Sequence, residues 1–166
     1  MANPSECRNP TYVVTVKYGK EELAEKELGD ALFYKDPNVL ICRTSFKGVL
    51  LLKTVLNDEQ VMKLILSYPP STIERMVRII SCCDISLDLI KCLSEILNNF
   101  NIVGYKTVRF GRKGLLSDQQ ISEVLKFLKG RINPSLENEL VLEPVDNYLC
   151  VGLVPDKKDR IRRKFL

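Results

Sequence analysis

Tyr12-Val-Val-Thr-Val-Lys-Tyr-Gly-Lys-Glu-Glu-Leu-Ala-Glu-Lys-Glu-Leu-Gly-Asp-Ala-Leu32 decides how the first half of the chain folds. Its first seven residues are β-branched and aromatic, the composition of a strand. From Lys20 the period changes: Leu23, Ala24, Leu28, Ala31 and Leu32 fall on one face of a helix. Working outward, two strand-like runs follow, Asn38–Arg43 and Lys47–Thr54, joined by Thr44-Ser-Phe46. Asn57 and Gln60 are spaced as the N-cap and third residue of a helix running to about Ser67. Tyr68-Pro-Pro70 stops that helix, because proline cannot continue it, and Ile73–Cys83 reads as one more strand. The order is β-α-β-β-α-β, the ferredoxin-like arrangement, closing a compact unit over residues 11–84 behind a polar arm, 1–10.

A second α/β unit is expected over residues 85–156. Ser86 is positioned to cap a helix to about Asn98, with Leu89, Ile90, Leu93, Ile96 and Leu97 as its apolar stripe. Residues 103–110 read as a strand, and Ser117-Asp-Gln-Gln120 as a capping box opening a helix through about Lys129, with Gly130 as its stop. Two strands close the unit, Glu139–Glu143 and, after a Pro-Val-Asp turn, Asn147–Val154. Residues 157–166 form a basic tail.

Between the predicted strand and the capped helix lies Lys106-Thr-Val-Arg-Phe-Gly-Arg-Lys-Gly-Leu-Leu-Ser117. It sets Lys106, Arg109, Arg112 and Lys113 beside Gly111, Gly114 and a helix N-terminus. Unpaired amides and the helix dipole favour anions at such a point, and the cations add longer-range attraction to phosphate. Neither G-x-x-x-x-G-K-[ST] nor G-x-G-x-x-G occurs, so the segment is no nucleotide-binding loop of those kinds. The tail repeats the charge, with Lys157, Lys158, Arg160, Arg162, Arg163 and Lys164 offering a second phosphate contact. Its plainer alternative is a solubilising end.

Charge distribution agrees. Residues 1–100 hold 12 Lys/Arg against 13 Asp/Glu, whereas residues 101–166 hold 13 against 8, which points to an anionic partner for the later part. The chain has no histidine, which excludes Ser-His-Asp and Cys-His nucleophile systems and His-containing zinc sites. None of the six cysteines forms a C-x-x-C pair, and no metal or cofactor is expected. Cys82 and Cys83 on a strand would point to opposite faces. Most of the cysteines sit in apolar segments and read as small buried thiols, with disulfide pairing left open. Glu21, Glu22, Glu25 and Glu27 suit the positive end of a helix dipole and need no catalytic role. Tyr12, Tyr18, Phe46 and Phe110 read as core or edge packing rather than base-stacking platforms. No signal peptide or spanning apolar run is visible, so a soluble cytoplasmic protein with no membrane partner is expected.

The ordered set resembles the THUMP-domain proteins, RNA-binding modules of tRNA-modifying enzymes. The residues that carry the likeness are Val108-Arg-Phe-Gly-Arg-Lys-Gly114, then Ser117 and Ile121, then Leu142-Glu-Pro-Val-Asp-Asn-Tyr-Leu-Cys-Val151. Gly48-Val-Leu-Leu-Leu-Lys53 and Ile73-Glu-Arg-Met-Val-Arg78 add to it in the first unit. The layout is similar to the standalone archaeal and eukaryotic THUMP proteins that assist tRNA cytidine acetylation. The resemblance implies an α+β fold, a ferredoxin-like unit followed by a THUMP-like one. It also implies a grip on the acceptor stem and 3′ end of tRNA, with Arg109, Arg112 and Lys113 on phosphates and the helix after Ser117 presenting its amides. With the charge pattern added, the RNA-binding residues expected are Lys106, Arg109, Arg112, Lys113, Gly114, Ser117, Arg162, Arg163 and Lys164. The expectation is an adaptor with no catalytic residues, not itself an enzyme, presenting tRNA to a separate acetyltransferase. Two alternatives stand beside it: the tRNA-binding portion of a split or larger methyltransferase or thiouridine synthase, and a ferredoxin-like protein-interaction module.

Overall fold

The computed structural model describes residues 4–155 and Ile161. After a short 3-10 turn, Pro4–Cys7, the elements are β1 (Tyr12–Val16), α1 (Glu21–Leu32), β2 (Leu40–Arg43), β3 (Val49–Lys53), α2 (Asp58–Ser67) and β4 (Ile73–Arg78). They continue with β5 (Ser81–Asp84), α3 (Leu89–Asn99), β6 (Thr107–Phe110), α4 (Asp118–Lys129), β7 (Asn138–Val145) and β8 (Tyr148–Pro155). The chain divides into two units, one of Met1–Arg78 with Lys158–Leu166 and one of Ile79–Lys157.

The first unit is a four-stranded antiparallel sheet in the order β2-β3-β1-β4, the ferredoxin-like topology. Alternate strand residues Tyr12, Val14 and Val16, with Leu50 and Leu52, face Ala24, Leu28 and Leu32 of α1 and Val61 and Ile65 of α2. Two apolar helix stripes thus cover one sheet face and bury it. α2 begins as its residues dictate: the Asn57 side chain accepts from the Gln60 amide at 2.8 Å, and Gln60 Oε1 accepts from the Asn57 amide at 2.9 Å. The glutamates of α1 do more than complement the dipole. Glu21 accepts from the Gly48 amide at 2.7 Å, Glu25 from Arg43 Nε at 2.6 Å, and Glu27 from Ser71 and Thr72, so the helix ties down the loops around it. Ile161, within the stretch read as a basic tail, is buried in this core.

Ile73–Cys83 is two strands, not one. β4 pairs with β1 as far as Arg78, whereas β5 pairs with β8, so the boundary between units falls after Arg78 rather than after residue 84. The second sheet has the order β5-β8-β7-β6, antiparallel except for the parallel pair β6 and β7, which α4 connects. Leu93 and Leu97 of α3 and Val124 and Leu128 of α4 pack on Leu140, Leu142, Leu149 and Val151 of this sheet. The Tyr105 hydroxyl donates to the Leu128 carbonyl within that core, and burial pushes its pKa up to about 12. α3 is capped by Asp88, whose side chain accepts from the Lys91 amide at 3.1 Å, rather than by Ser86. Ser86 is engaged by Asp84 through both its amide and its hydroxyl. Pro144 and Val145 lie in β7, so the closing turn is Asp146-Asn147.

The cysteines are paired, which corrects the reading of buried thiols: Cys7 with Cys42, Cys82 with Cys150, and Cys83 with Cys92. Cys82 stands opposite Cys150 in the β5–β8 register, while its neighbour Cys83 turns to the core face and reaches α3. The two vicinal thiols do point to opposite faces. The architecture is mixed α+β, ferredoxin-like and then THUMP-like, with four helices and two four-stranded sheets among the described residues.

Candidate nucleic-acid interface

β6 is the edge strand of the second sheet, and α4 begins just beyond its carboxyl end. The intervening loop carries the cations singled out above. Its path is fixed by two glycines. The Gly111 amide donates to the Leu142 carbonyl at 2.9 Å, and a Cβ on Gly111 would lie 2.1 Å from a Glu143 carboxylate oxygen. Gly114 has φ +61, and a Cβ there would lie 2.6 Å from the Pro144 Cβ. At Gly114 the close approach to Pro144 of β7 and the left-handed backbone both call for glycine, whereas at Gly111 the neighbour is the end of the Glu143 side chain. Leu116 is buried in the second core and anchors the far end of the loop.

The helix start is formed as the spacing predicts. Ser117 Oγ accepts from the Gln120 amide at 3.1 Å and Gln120 Oε1 from the Ser117 amide at 2.9 Å. The side-chain Nε2 of Gln120 donates to the Ile85 carbonyl at 3.4 Å. This box leaves the amides of Asp118 and Gln119 as the first helical donors, beside Lys113. Lys113 Nζ lies 2.6 Å from Asp118 Oδ1, both side chains well exposed, and the ammonium holds the Asp118 carboxyl below its ordinary pKa. Arg112 is half-buried and Lys113 exposed.

Arg109 sits differently. Thr107 and Arg109 share one face of β6, whereas Val108 and Phe110 turn to the core. Arg109 Nε lies 3.2 Å from Glu139 Oε1, and Thr107 Oγ1 donates to Glu139 Oε2 at 2.9 Å. With both ionic side chains largely buried, Arg109 braces the β6–β7 pair. Lys106 precedes β6, and its amide donates to the Asn138 carbonyl at 2.7 Å. The structure therefore brings Arg112, Lys113, Gly114 and Ser117 to one loop and helix start, and commits Arg109 to the sheet. Arg162, Arg163 and Lys164 lie outside the described residues.

Sequence reasoning missed the carboxylates, Asp118, Glu139 and Glu143, that stand against this cluster. The signal was present: residues 101–156 hold seven Lys/Arg and seven Asp/Glu, so the basic excess lies in 157–166. Among the described residues no group of His, Cys, Asp and Glu could hold a metal ion, and no helix is long and apolar enough to cross a membrane.

No protein-family model and no curated protein matches the chain. Its fold is similar to that of TrmN from Thermus thermophilus, with TM-score 0.55 and 14% identity, over 93% of this chain and 48% of that one. It is also similar to PH1313 from Pyrococcus horikoshii OT3, with TM-score 0.50 and 14% identity, over 87% of this chain and 55% of that one. A 4-thiouridine synthetase, solved as an RNA complex with bound ATP, aligns with TM-score 0.47 and 13% identity, over 89% of this chain and 42% of that one. This chain thus spans about half the length of TrmN and of PH1313. The expectation that the protein is not an enzyme is corrected by the first two matches, in which this fold forms only about half of a longer chain.

Proposed function

We propose that the protein binds tRNA and holds it for chemical modification, with the loop of Arg112, Lys113 and Gly114 and the start of α4 as the phosphate grip. The observation that carries this reading is the placement of that loop. The loop lies against β7 at Gly111 and Gly114 and runs into the capped start of α4, where Lys113 stands beside Asp118, and backbone amides at such a start favour an anion. Arg109 contributes by bracing the strand that feeds the loop. The basic excess of residues 157–166 supplies a second electrostatic contact, through Arg162, Arg163 and Lys164 among others. The resemblance to THUMP-domain proteins names the nucleic acid, and the ferredoxin-like and THUMP-like order it implies is the order observed.

In its finer form the grip takes the acceptor stem and 3′ end and presents the tRNA to a catalytic unit in the cytoplasm. The resemblance makes that unit a tRNA cytidine acetyltransferase. The alternative, that this chain is the tRNA-binding portion of a larger or split modifying enzyme, is favoured by one observation: it covers only 48% of TrmN and 55% of PH1313. The test is affinity for intact tRNA against tRNA trimmed of its 3′ end. Weaker binding after trimming supports recognition of the end, and equal binding of both refutes it. Co-purification of an acetyltransferase with the tagged protein separates the two forms of the reading.

A further inference from the structure

A second feature suited to nucleic acid lies in the first unit and uses none of the residues assigned to the phosphate grip. A cavity of about 340 Å³ opens between the end of β1 and the β2–β3 connection, lined by Tyr18, Arg43, Thr44, Phe46, Lys47 and Val49 among others. Its size falls within the range of ligand pockets, about 300–1,000 Å³.

The walls are held by the protein itself. The Thr44 hydroxyl bridges the connection, lying 3.1 Å from the Phe46 carbonyl and 3.0 Å from the Val49 carbonyl. Of the carboxylates nearby, Glu21 is engaged with the Gly48 amide and Glu25 with Arg43. The backbone amide of Glu21 itself, and then that of Gly48, hold the Glu21 carboxyl below its ordinary pKa. Tyr18 is 75% exposed, which corrects its reading as a packing residue, and Phe46 is half-buried. Lys47 Nζ lies 3.1 Å from the Tyr18 hydroxyl but 5.4 Å from its ring centre. Those distances set the ammonium off the hydroxyl end of the ring and leave it from covering the face. An aromatic face, a half-buried second ring and a cation at the rim are the parts that hold a base and its phosphate.

We propose that this cavity takes one unpaired nucleotide of RNA, with its base on Tyr18 and its phosphate at Lys47. The proposal rests on the reading of the protein as an RNA binder, but it uses residues of the first unit alone. A single-stranded tetranucleotide, labelled uridine tetramer, is titrated by fluorescence anisotropy into the full chain and its variants. Tyr18→Ala lowers affinity roughly 5- to 150-fold, the loss of one stacked base. Tyr18→Phe, which keeps the ring, binds within about twofold of wild type. No binding of the tetramer, or equal binding by Tyr18→Ala and wild type, overturns the proposal. So does a site that saturates with cytidine 5′-monophosphate yet ignores the tetramer. In each of those cases a loss of intact tRNA binding in the Arg112/Lys113 variant still upholds the tRNA reading, so the two fail separately.

Discussion

Gly114→Ala is the perturbation that asks most about the loop. Gly114 has φ +61, and left-handed backbone costs a residue with a Cβ roughly 1–2 kcal/mol. The new methyl would lie 2.6 Å from the Pro144 Cβ, which is part of β7 and cannot swing aside as a long side chain would. Overpacking of that kind typically adds about 1–3 kcal/mol. Together these give a loss of roughly 2–5 kcal/mol, with the lower end applying if the loop lifts from β7 to relieve the contact. Gly130→Ala is the internal control in the same unit. Gly130 caps α4 at φ −65, and nothing lies within 4 Å of its would-be Cβ, so alanine is compatible there. It stabilises by about 0.4–1 kcal/mol through the unfolded chain. Urea unfolding followed by circular dichroism measures both. A Gly114→Ala protein that unfolds within about 0.5 kcal/mol of wild type refutes the pinned loop.

Other perturbations separate bracing from binding. Arg109→Ala removes a partner from Glu139, which is nearly buried, and costs about 1–3 kcal/mol of stability in the same unfolding assay. The salt dependence of its tRNA binding stays as in wild type, and a shallower dependence would make Arg109 a phosphate contact after all. Cys82→Ser/Cys150→Ser opens a link spanning 68 residues, which chain entropy values at about 4 kcal/mol. The Cys83–Cys92 link spans 9 residues and is valued at about 3 kcal/mol. Equal unfolding midpoints with and without reductant would deny that these bonds support the fold. Glu21 has its folded pKa lowered from 4.5 by backbone amides. It therefore contributes stability fully above that pH and loses it as pH falls through the lower folded value. Glu21→Gln should flatten the stability profile below about pH 5, and an unchanged profile contradicts the Gly48 contact.

Local signals carried the element order. The caps at Asn57 and Ser117 could be read because a capping box is a contact three residues apart. β1 and α1 declared themselves by a change from strand composition to helical period. What could not be read were the contacts made across the chain. Strand composition runs on from Ile73 to Cys83, and only the pairing of β4 with β1 and of β5 with β8 divides it. Ser86 and Asp88 are both good caps, and Asp84 decided between them by taking Ser86. The loop cations were visible as residues, but their opposing carboxylates, Glu139 above all, arrive by parallel pairing of β6 with β7. Gly130 stops α4 without adopting the left-handed backbone usual for such a glycine. The disulfides join residues up to 68 apart, beyond any local pattern.

The central claim is that Arg112 and Lys113 neutralise tRNA phosphates. The direct measurement is tRNA affinity as a function of salt for wild type and for Arg112→Gln/Lys113→Gln. Each phosphate contact contributes close to one unit to the slope of log affinity against log salt. Binding by the variant is expected to be weaker across tRNA sequences, with a slope shallower by about two. A variant with wild-type affinity and wild-type slope contradicts it.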